Sequence, residues 1–275
     1  MPRAIIAAMG VQMKAAAIVR AFMLLALAGA ASIAAADAAE IRVDCSGAPA
    51  EAVKAIAADF ARDTGHHLDF TIGQPATIEQ DLRAGDRADI VILPAPVVAK
   101  LTSARMLRAE GAAALARVGI GVAVRDGVAP PDIGNTAAIG KLLREAHSIV
   151  YPDPAEPGGG STGHAVAHMI EQMGLADTVR PKLTLSSAIG GGVAMVAAGK
   201  AEVGFFNISE IMPINGVKLV GPLPAELQTY IVFSAAIPAT SNAPAPAAAL
   251  ITRLAAPASR RAWQAAGLEP LAAAP

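Results

Sequence analysis

Residues 88–96, with the sequence ADIVILPAP, indicate the fold class. The apolar run 90–93 does not alternate with polar residues, which is typical of a strand in a parallel sheet covered on both faces. Pro94 and Pro96 follow at once, and proline is favoured in the first turn of a helix. A buried strand that leads directly into a helix is half of a βαβ unit. The stretch therefore predicts an α/β fold.

The same unit recurs on both sides of this stretch. Residues 41–45 read as a strand and 50–64 as an amphipathic helix that Gly65 ends, and residues 67–72 and 78–84 repeat the pattern. Further strands are predicted downstream at 148–151, 183–185 and 203–206, each followed by a turn and a helical segment. Repeated strand, turn and helix units predict a mostly parallel sheet flanked by helices.

Two longer apolar strands, 117–125 and 230–237, enclose the second half of these units. One strand leaves a first lobe and the other returns to it, which predicts two α/β lobes joined by a two-strand hinge. Lobe 1 is expected to comprise residues 37–119 and 230–275, and lobe 2 residues 120–229. Helices predicted at 247–254 and 259–266 return to the first lobe.

Residues 1–36 predict a secretory signal peptide. They contain Arg3, Lys14 and Arg20, no acidic residue, and an apolar run over 21–31 that is shorter than the ~18 residues of a membrane span. A membrane anchor is the alternative. The protein is therefore expected in the periplasm. Its net charge of −1 argues against nucleic acid as a partner, and its single cysteine excludes an internal disulfide.

The loop PDPAEPGGGSTGH, residues 152–164, is the strongest candidate for ligand binding. Gly159 and Gly160 permit close approach of a ligand, and Ser161 or Thr162 can cap the helix that follows. A helix N-terminus presents free N–H groups to an anion. The nucleotide P-loop pattern is absent, because His164 stands where that pattern has lysine. A flexible surface connection is the alternative interpretation.

Several segments resemble the periplasmic molybdate-binding proteins of ABC importers. They are AGDRADIVI (84–92), GKAEVGF (199–205) and GVKLVGPLP (216–224), and the likeness extends over the chain after the signal peptide. The resemblance implies a type II periplasmic binding protein, a monomer without cofactor or metal. Such a protein closes two lobes over a small anion and delivers it to the membrane subunits of an ABC importer.

The resemblance also implies which positions contact the ligand. The family's first ligand serine falls near Ser46, Gly47 and Ala48, and the second near Gln74 and Thr77. The family's tyrosine ligand falls at Asn207, two residues before Ser209. Hydroxyl groups are missing at Ala48 and Pro75, so the ligand is either a molybdate-like oxyanion or an organic carboxylate.

Three stretches, 117–133, 198–210 and 217–226, also resemble the aconitate isomerases, which interconvert trans- and cis-aconitate. This alternative implies an enzyme on the same scaffold. An allylic proton shift needs a proton acceptor near the carbon skeleton, and Glu210 and His164 are the candidates. No catalytic residue is assigned if the protein only binds its ligand.

Two other patterns leave their alternatives open. His164 and His168 share a helix face, but the metalloprotease pattern HExxH fails at Ala165, so a surface pair is the simpler interpretation. His164 alone, within a turn of the glycine loop, is a candidate ligand contact. The glycines 190–192 indicate either a second anion-binding helix start or a tight turn.

Overall fold

The computed structural model describes residues 38–155, 160–188 and 190–271. The predicted signal peptide and Gly159 lie outside these residues. Ten strands are described, and in chain order they are β1 (Glu40–Ser46), β2 (His67–Gly73), β3 (Ile90–Pro94), β4 (Ala113–Arg125), β5 (Ile149–Pro152), β6 (Leu183–Ser186), β7 (Val203–Asn207), β8 (Val217–Pro222), β9 (Tyr230–Ala236) and β10 (Glu269–Pro270).

Helices alternate with these strands, as the sequence predicts. They are α1 (Ala50–Thr64), α2 (Pro75–Ala84), α3 (Ala95–Ser103), α4 (Thr136–Glu145), α5 (Gly160–Gln172), α6 (Ala176–Val179), α7 (Gly191–Ala197), α8 (Ile208–Ile211), α9 (Pro244–Ala255) and α10 (Arg260–Ala265). No helix of the described residues is long and apolar enough to cross a membrane. The prediction of an α/β fold is confirmed.

The strands follow the order β2-β1-β3-β9-β4-β7-β5-β6. β1 pairs in parallel with β2 and β3, and β5 pairs in parallel with β6 and β7, whereas β4 and β9 run antiparallel to their neighbours. The first strand group is β1, β2, β3, β9 and the N-terminal half of β4. The second strand group is β5 to β8 and the C-terminal half of β4.

β4 belongs to both groups and changes partners within two residues. Up to Gly119 it pairs with β9, and from Ile120 onwards it pairs with β7. Tyr230, the first residue of β9, lies opposite Gly119, so the chain returns to the first strand group at the level where β4 leaves it. This arrangement matches the predicted pair of hinge strands.

Each strand group has its own apolar core. Val43, Ile92 and Phe233 of the first group pack with α1, α9 and the buried Trp263, whose indole donates to the carbonyl of Leu254 at 3.0 Å. A separate cluster joins the second group to α4 and α5. Burial of apolar surface on both faces of each group fixes the strands whose ends form the site.

The predicted bounds of several elements need correction. α2 begins at Pro75 rather than at residue 78, because proline at the first helical position needs no hydrogen-bond partner for its nitrogen. β4 begins at Ala113, four residues before the predicted start, because pairing with β9 extends it. α5 begins at Gly160, so Ser161 and Thr162 lie in its first turn and do not precede it as caps.

Candidate functional site

A cleft of about 580 Å³, including the part open to solvent, lies where the strands of both groups end and the helices begin. Ligands of open α/β sheets bind at this edge. The described lining residues are Ser46, Gly47, Ala48, Gln74, Pro75, Pro94, Pro152, Ser161, Thr162, Ser186, Ala188, Gly190, Gly192, Phe206, Asn207, Glu210, Ile231 and Phe233.

Both strand groups contribute to the cleft. Ser46, Gln74 and Phe233 belong to the first group and its loops, and Thr162 and Asn207 to the second. The side-chain amide of Gln74 also donates to the carbonyl of Ser187 at 3.5 Å, from one group to the other. A ligand in the cleft would therefore contact both groups.

The first turns of helices converge on this cleft. Gln74 and Pro75 begin α2, Ser161 and Thr162 lie in the first turn of α5, and Gly192 lies in the first turn of α7. Such turns carry unpaired N–H groups and partial positive charge. An anion is stabilised by these groups without a cationic side chain, and the described lining residues include no Lys, Arg or His.

Ser46 is the last residue of β1 and is only 2% exposed. Its hydroxyl oxygen is buried and has no hydrogen-bond partner within the described protein. A buried hydroxyl normally finds a partner, because leaving it unpaired costs about 1–3 kcal/mol. Since Ser46 lines the cleft, a ligand atom is the natural partner.

Thr162 and Asn207 form a buried pair across the second strand group. The Thr162 hydroxyl donates to the side-chain oxygen of Asn207 at 2.9 Å, and both residues are 5% exposed. This bond fixes the orientation of the Asn207 amide, so its NH₂ group points away from Thr162. The pair places a donor at the end of β7.

Glu210 is the only ionisable side chain among the described lining residues. It lies on α8, three residues after Asn207. Burial raises the pKa of its carboxyl to about 7, although hydrogen bonds from the Asn207 side chain and backbone lower it in part. At neutral pH the cleft therefore contains a carboxyl group that can accept or release a proton.

Two glycines permit the close packing that shapes the cleft. A Cβ atom on Gly163 would lie 2.3 Å from the carbonyl oxygen of Pro152, so only glycine lets α5 approach the end of β5. A Cβ atom on Gly192 would lie 2.5 Å from the Phe206 ring. Both substitutions would force the second strand group apart at the cleft.

Most of the predicted ligand residues lie in this cleft: Ser46, Gly47, Ala48, Gln74, Ser161, Thr162 and Asn207. The cleft also contains Glu210, the candidate proton acceptor. Gly160 begins α5.

Three predicted positions lie elsewhere. Thr77 and His164 are exposed and do not line the cleft. Ser209 lines a separate cavity with Glu51 and Met212 on the other side of α8. Among the described residues, no group of three or more His, Cys, Asp or Glu side chains could hold a metal ion.

Sequence reasoning missed Ser186, Phe206, Ile231 and Phe233. Ser186 ends β6 and adds a further hydroxyl to the cleft. Its position at a strand end, shortly before the glycines 190–192, was the sequence signal that could have indicated it. Ile231 and Phe233 lie inside the apolar strand β9, and their contact with the cleft follows only from the pairing of β9 with β4.

The fold defines a class of protein, the two-lobed binding proteins, and the cleft lies at strand ends between the two strand groups. The family model of the bacterial extracellular solute-binding proteins matches residues 41–269. The chain belongs to this family, and the predicted type II periplasmic binding protein fold is confirmed.

Individual relatives differ in function. An aconitate isomerase from Pseudomonas sp. is 28% identical over 256 residues, which cover 91% of this chain and 95% of the isomerase. A molybdate-binding protein from Azotobacter vinelandii is 25% identical over 180 residues, which cover 64% and 68%. This chain is thus similar both to a binding protein and to an isomerase.

Solved structures show the same fold. The sulfate-binding protein SubI from Mycobacterium tuberculosis has a TM-score of 0.68 and 18% identity over 85% of this chain and 87% of its own. The periplasmic molybdate-binding protein of Azotobacter vinelandii has a TM-score of 0.67 and 20% identity over 83% and 98%.

Proposed function

We propose that this protein captures a small anion, a molybdate-like oxyanion or an organic carboxylate, in the cleft between its two strand groups. It acts in the periplasm, where the molybdate-binding neighbour is also found. It hands the anion to the membrane subunits of an ABC importer. Residues 1–36 act as its secretory signal peptide.

The buried Ser46 hydroxyl carries this proposal. It lines the cleft and has no partner within the described protein. The hydroxyls of Ser161 and Ser186 line the same cleft, as does the Asn207 amide. Hydroxyl and amide donors next to the first turns of helices suit an oxyanion or a carboxylate.

Binding is proposed to close two lobes, residues 37–119 with 230–275 and residues 120–229. The partner change of β4 between Gly119 and Ile120 supports this boundary. Because the cleft is lined from both strand groups, a ligand that contacts both stabilises the closed arrangement.

A thermal-shift series tests the proposal. The mature protein is heated with molybdate, tungstate, sulfate, citrate and the two aconitates, with sodium chloride as the control for ionic strength. A ligand that binds only the folded state raises the melting temperature by mass action. A rise with at least one of these anions supports the proposal, and no rise with any of them contradicts it.

Isomerisation of aconitate is the second candidate function. The Glu210 carboxyl in the cleft favours it, because an allylic proton shift needs an acceptor near the substrate and this carboxyl has a pKa of about 7. The isomerase from Pseudomonas sp. covers most of the chain. His164, the other candidate proton acceptor, is exposed and does not line the cleft.

An absorbance assay separates the two functions. Under the second candidate, trans-aconitate is converted to cis-aconitate, and Glu210→Gln lowers kcat at least a hundredfold without lowering the melting temperature. Glu51→Gln, on the other side of α8, serves as the control. If the wild-type protein binds aconitate without converting it, the isomerase function is excluded.

A further inference from the structure

Glu210 presents an electrostatic problem for an anion site. Its carboxyl lines the cleft that would hold the ligand, and the described lining residues include no cationic side chain to offset it. Two negative charges in contact repel each other, and more strongly in a partly buried cleft than in water. Either the carboxyl or the ligand must therefore carry a proton in the complex.

Asn207 is the neighbour that hydrogen-bonds the Glu210 carboxyl. Asn207 donates to this carboxyl from its side chain and backbone. The Asn207 amide is itself held by Thr162, so its donor side stays directed at Glu210. Because a carboxylate has several acceptor sites and Glu210 lines the cleft, its carboxyl can accept a further hydrogen bond from a group in the cleft.

Other charged groups near α8 do not offset the negative charge of the Glu210 carboxylate. The strands packed against α8 are β4, β7 and β8. β7 has no charged residue, and the cations of β4 and β8 are Arg117, Arg125 and Lys218. Arg117 is paired with Glu269, and Arg125 and Lys218 are exposed. None of the three lines the cleft or contributes to the Glu210 pKa.

On this basis we propose that the cleft selects a small anion that carries its own O–H group, and that this group donates a hydrogen bond to the Glu210 carboxylate. The proposal rests on the anion-binding function above and names the chemical class of its ligand. A hydrogen phosphate-type oxyanion or a hydroxycarboxylate fits this class. An anion without an O–H group binds only if Glu210 takes up a proton from solvent.

Two matched pairs of probes test the selection. Phosphate and sulfate are tetrahedral anions that differ in the O–H group, and malate and succinate are dicarboxylates that differ in one hydroxyl. Each is titrated calorimetrically at pH 8.5, in two buffers of different ionisation enthalpy, into the wild-type protein and Glu210→Gln. Glu51→Gln is the control variant, since Glu51 lines the cavity on the other side of α8.

In at least one pair, the hydroxyl-bearing member is expected to bind the wild-type protein at least tenfold more tightly. Binding of the other member is expected to be accompanied by the uptake of close to one proton from the buffer per anion bound. In Glu210→Gln the preference falls below threefold and the proton uptake disappears, whereas Glu51→Gln behaves like the wild type. Melting temperatures confirm that each variant is folded.

Several outcomes overturn the inference. Equal binding within each pair without proton uptake shows that Glu210 does not meet the ligand's O–H group. A preference that survives in Glu210→Gln assigns the selection to other residues. If none of the four probes binds either protein while another anion raises the melting temperature, the proposed function stands and this ligand class is wrong. If no anion binds at all, both fail.

Discussion

The side chain of Gln228 forms two hydrogen bonds with the backbone of Ile120, accepting from its N–H at 2.8 Å and donating to its carbonyl at 3.0 Å. Ile120 is the first residue of β4 that pairs with the second strand group. The amide therefore takes the place of a neighbouring strand where β4 changes partners. This contact stabilises the predicted hinge.

Gln228→Ala is expected to lower the free energy of unfolding by about 1–3 kcal/mol, because the partly buried N–H of Ile120 loses its partner and the Ile120 carbonyl keeps only the bond from the Leu223 N–H. Urea denaturation measures the change. Gln264→Ala, an exposed position on α10, is the control and should stay within about 0.5 kcal/mol. An equal loss in both variants would show that Gln228 has no special role.

Thr162→Val is expected to weaken anion binding about 3- to 10-fold, since the loss of one hydrogen bond worth about 0.5–1.5 kcal/mol releases the Asn207 amide. Calorimetric titration measures the affinity. Thr252→Val is the matched control, because its hydroxyl also bonds a carbonyl but lies on α9. Unchanged affinity in Thr162→Val would exclude a positioning role for this pair.

Gly163→Ala is expected to destabilise the protein by about 1–3 kcal/mol, although alanine is the better helix former, because its methyl group would overlap the Pro152 carbonyl oxygen. Gly140→Ala in α4 is the control. There the new methyl group would meet only the ends of the flexible Met173 and Arg144 side chains, at 3.3 Å or more. Thermal melts compare the two, and equal stabilities would refute the steric argument.

The raised pKa of Asp44 implies that the stability of the protein depends on pH. Burial, the negative charge of Asp86 and other nearby groups raise the pKa of this carboxyl from 3.8 to about 6. Between these values the unfolded chain ionises while the folded protein keeps its proton. Stability is therefore fully present below pH 3.8 and falls as the pH rises through 6.

Asp44→Asn removes the carboxyl that causes this fall in stability with rising pH. The variant is expected to be more stable than the wild type at pH 7, by on the order of 1 kcal/mol after allowance for solvent screening, and to gain little at pH 4. Chemical denaturation at the two pH values measures the difference. Asp177→Asn, an exposed position, is the control variant, and a gain in Asp44→Asn that is equal at both pH values would contradict the argument.

Local sequence patterns predict much of this fold. The apolar run before Pro94 and the left-handed Gly65 after α1 mark element ends that tertiary packing leaves in place. The start of β4 was missed because it depends on pairing with β9, which follows more than a hundred residues later. Pairing at such distance leaves no local pattern in the chain.

The residues that line the cleft could be predicted where they stand at strand ends. Ser46 and Asn207 end β1 and β7, and both line the cleft. Ser209 was included for its position in the sequence, but on a helix Asn207 and Glu210 share a face that Ser209 does not. A list of neighbouring polar residues does not show which side of a helix faces the ligand.

The central claim is that a small anion binds in the cleft through donors that include the Ser46 hydroxyl. Calorimetric titration of molybdate, sulfate, trans-aconitate, phosphate and malate into the wild type, Ser46→Ala and the exposed control Ser103→Ala tests it most directly. The wild type and control are expected to bind at least one anion with a stoichiometry of about one, and Ser46→Ala about 3- to 10-fold more weakly. Binding by none of them, or equal binding by Ser46→Ala, would contradict the claim.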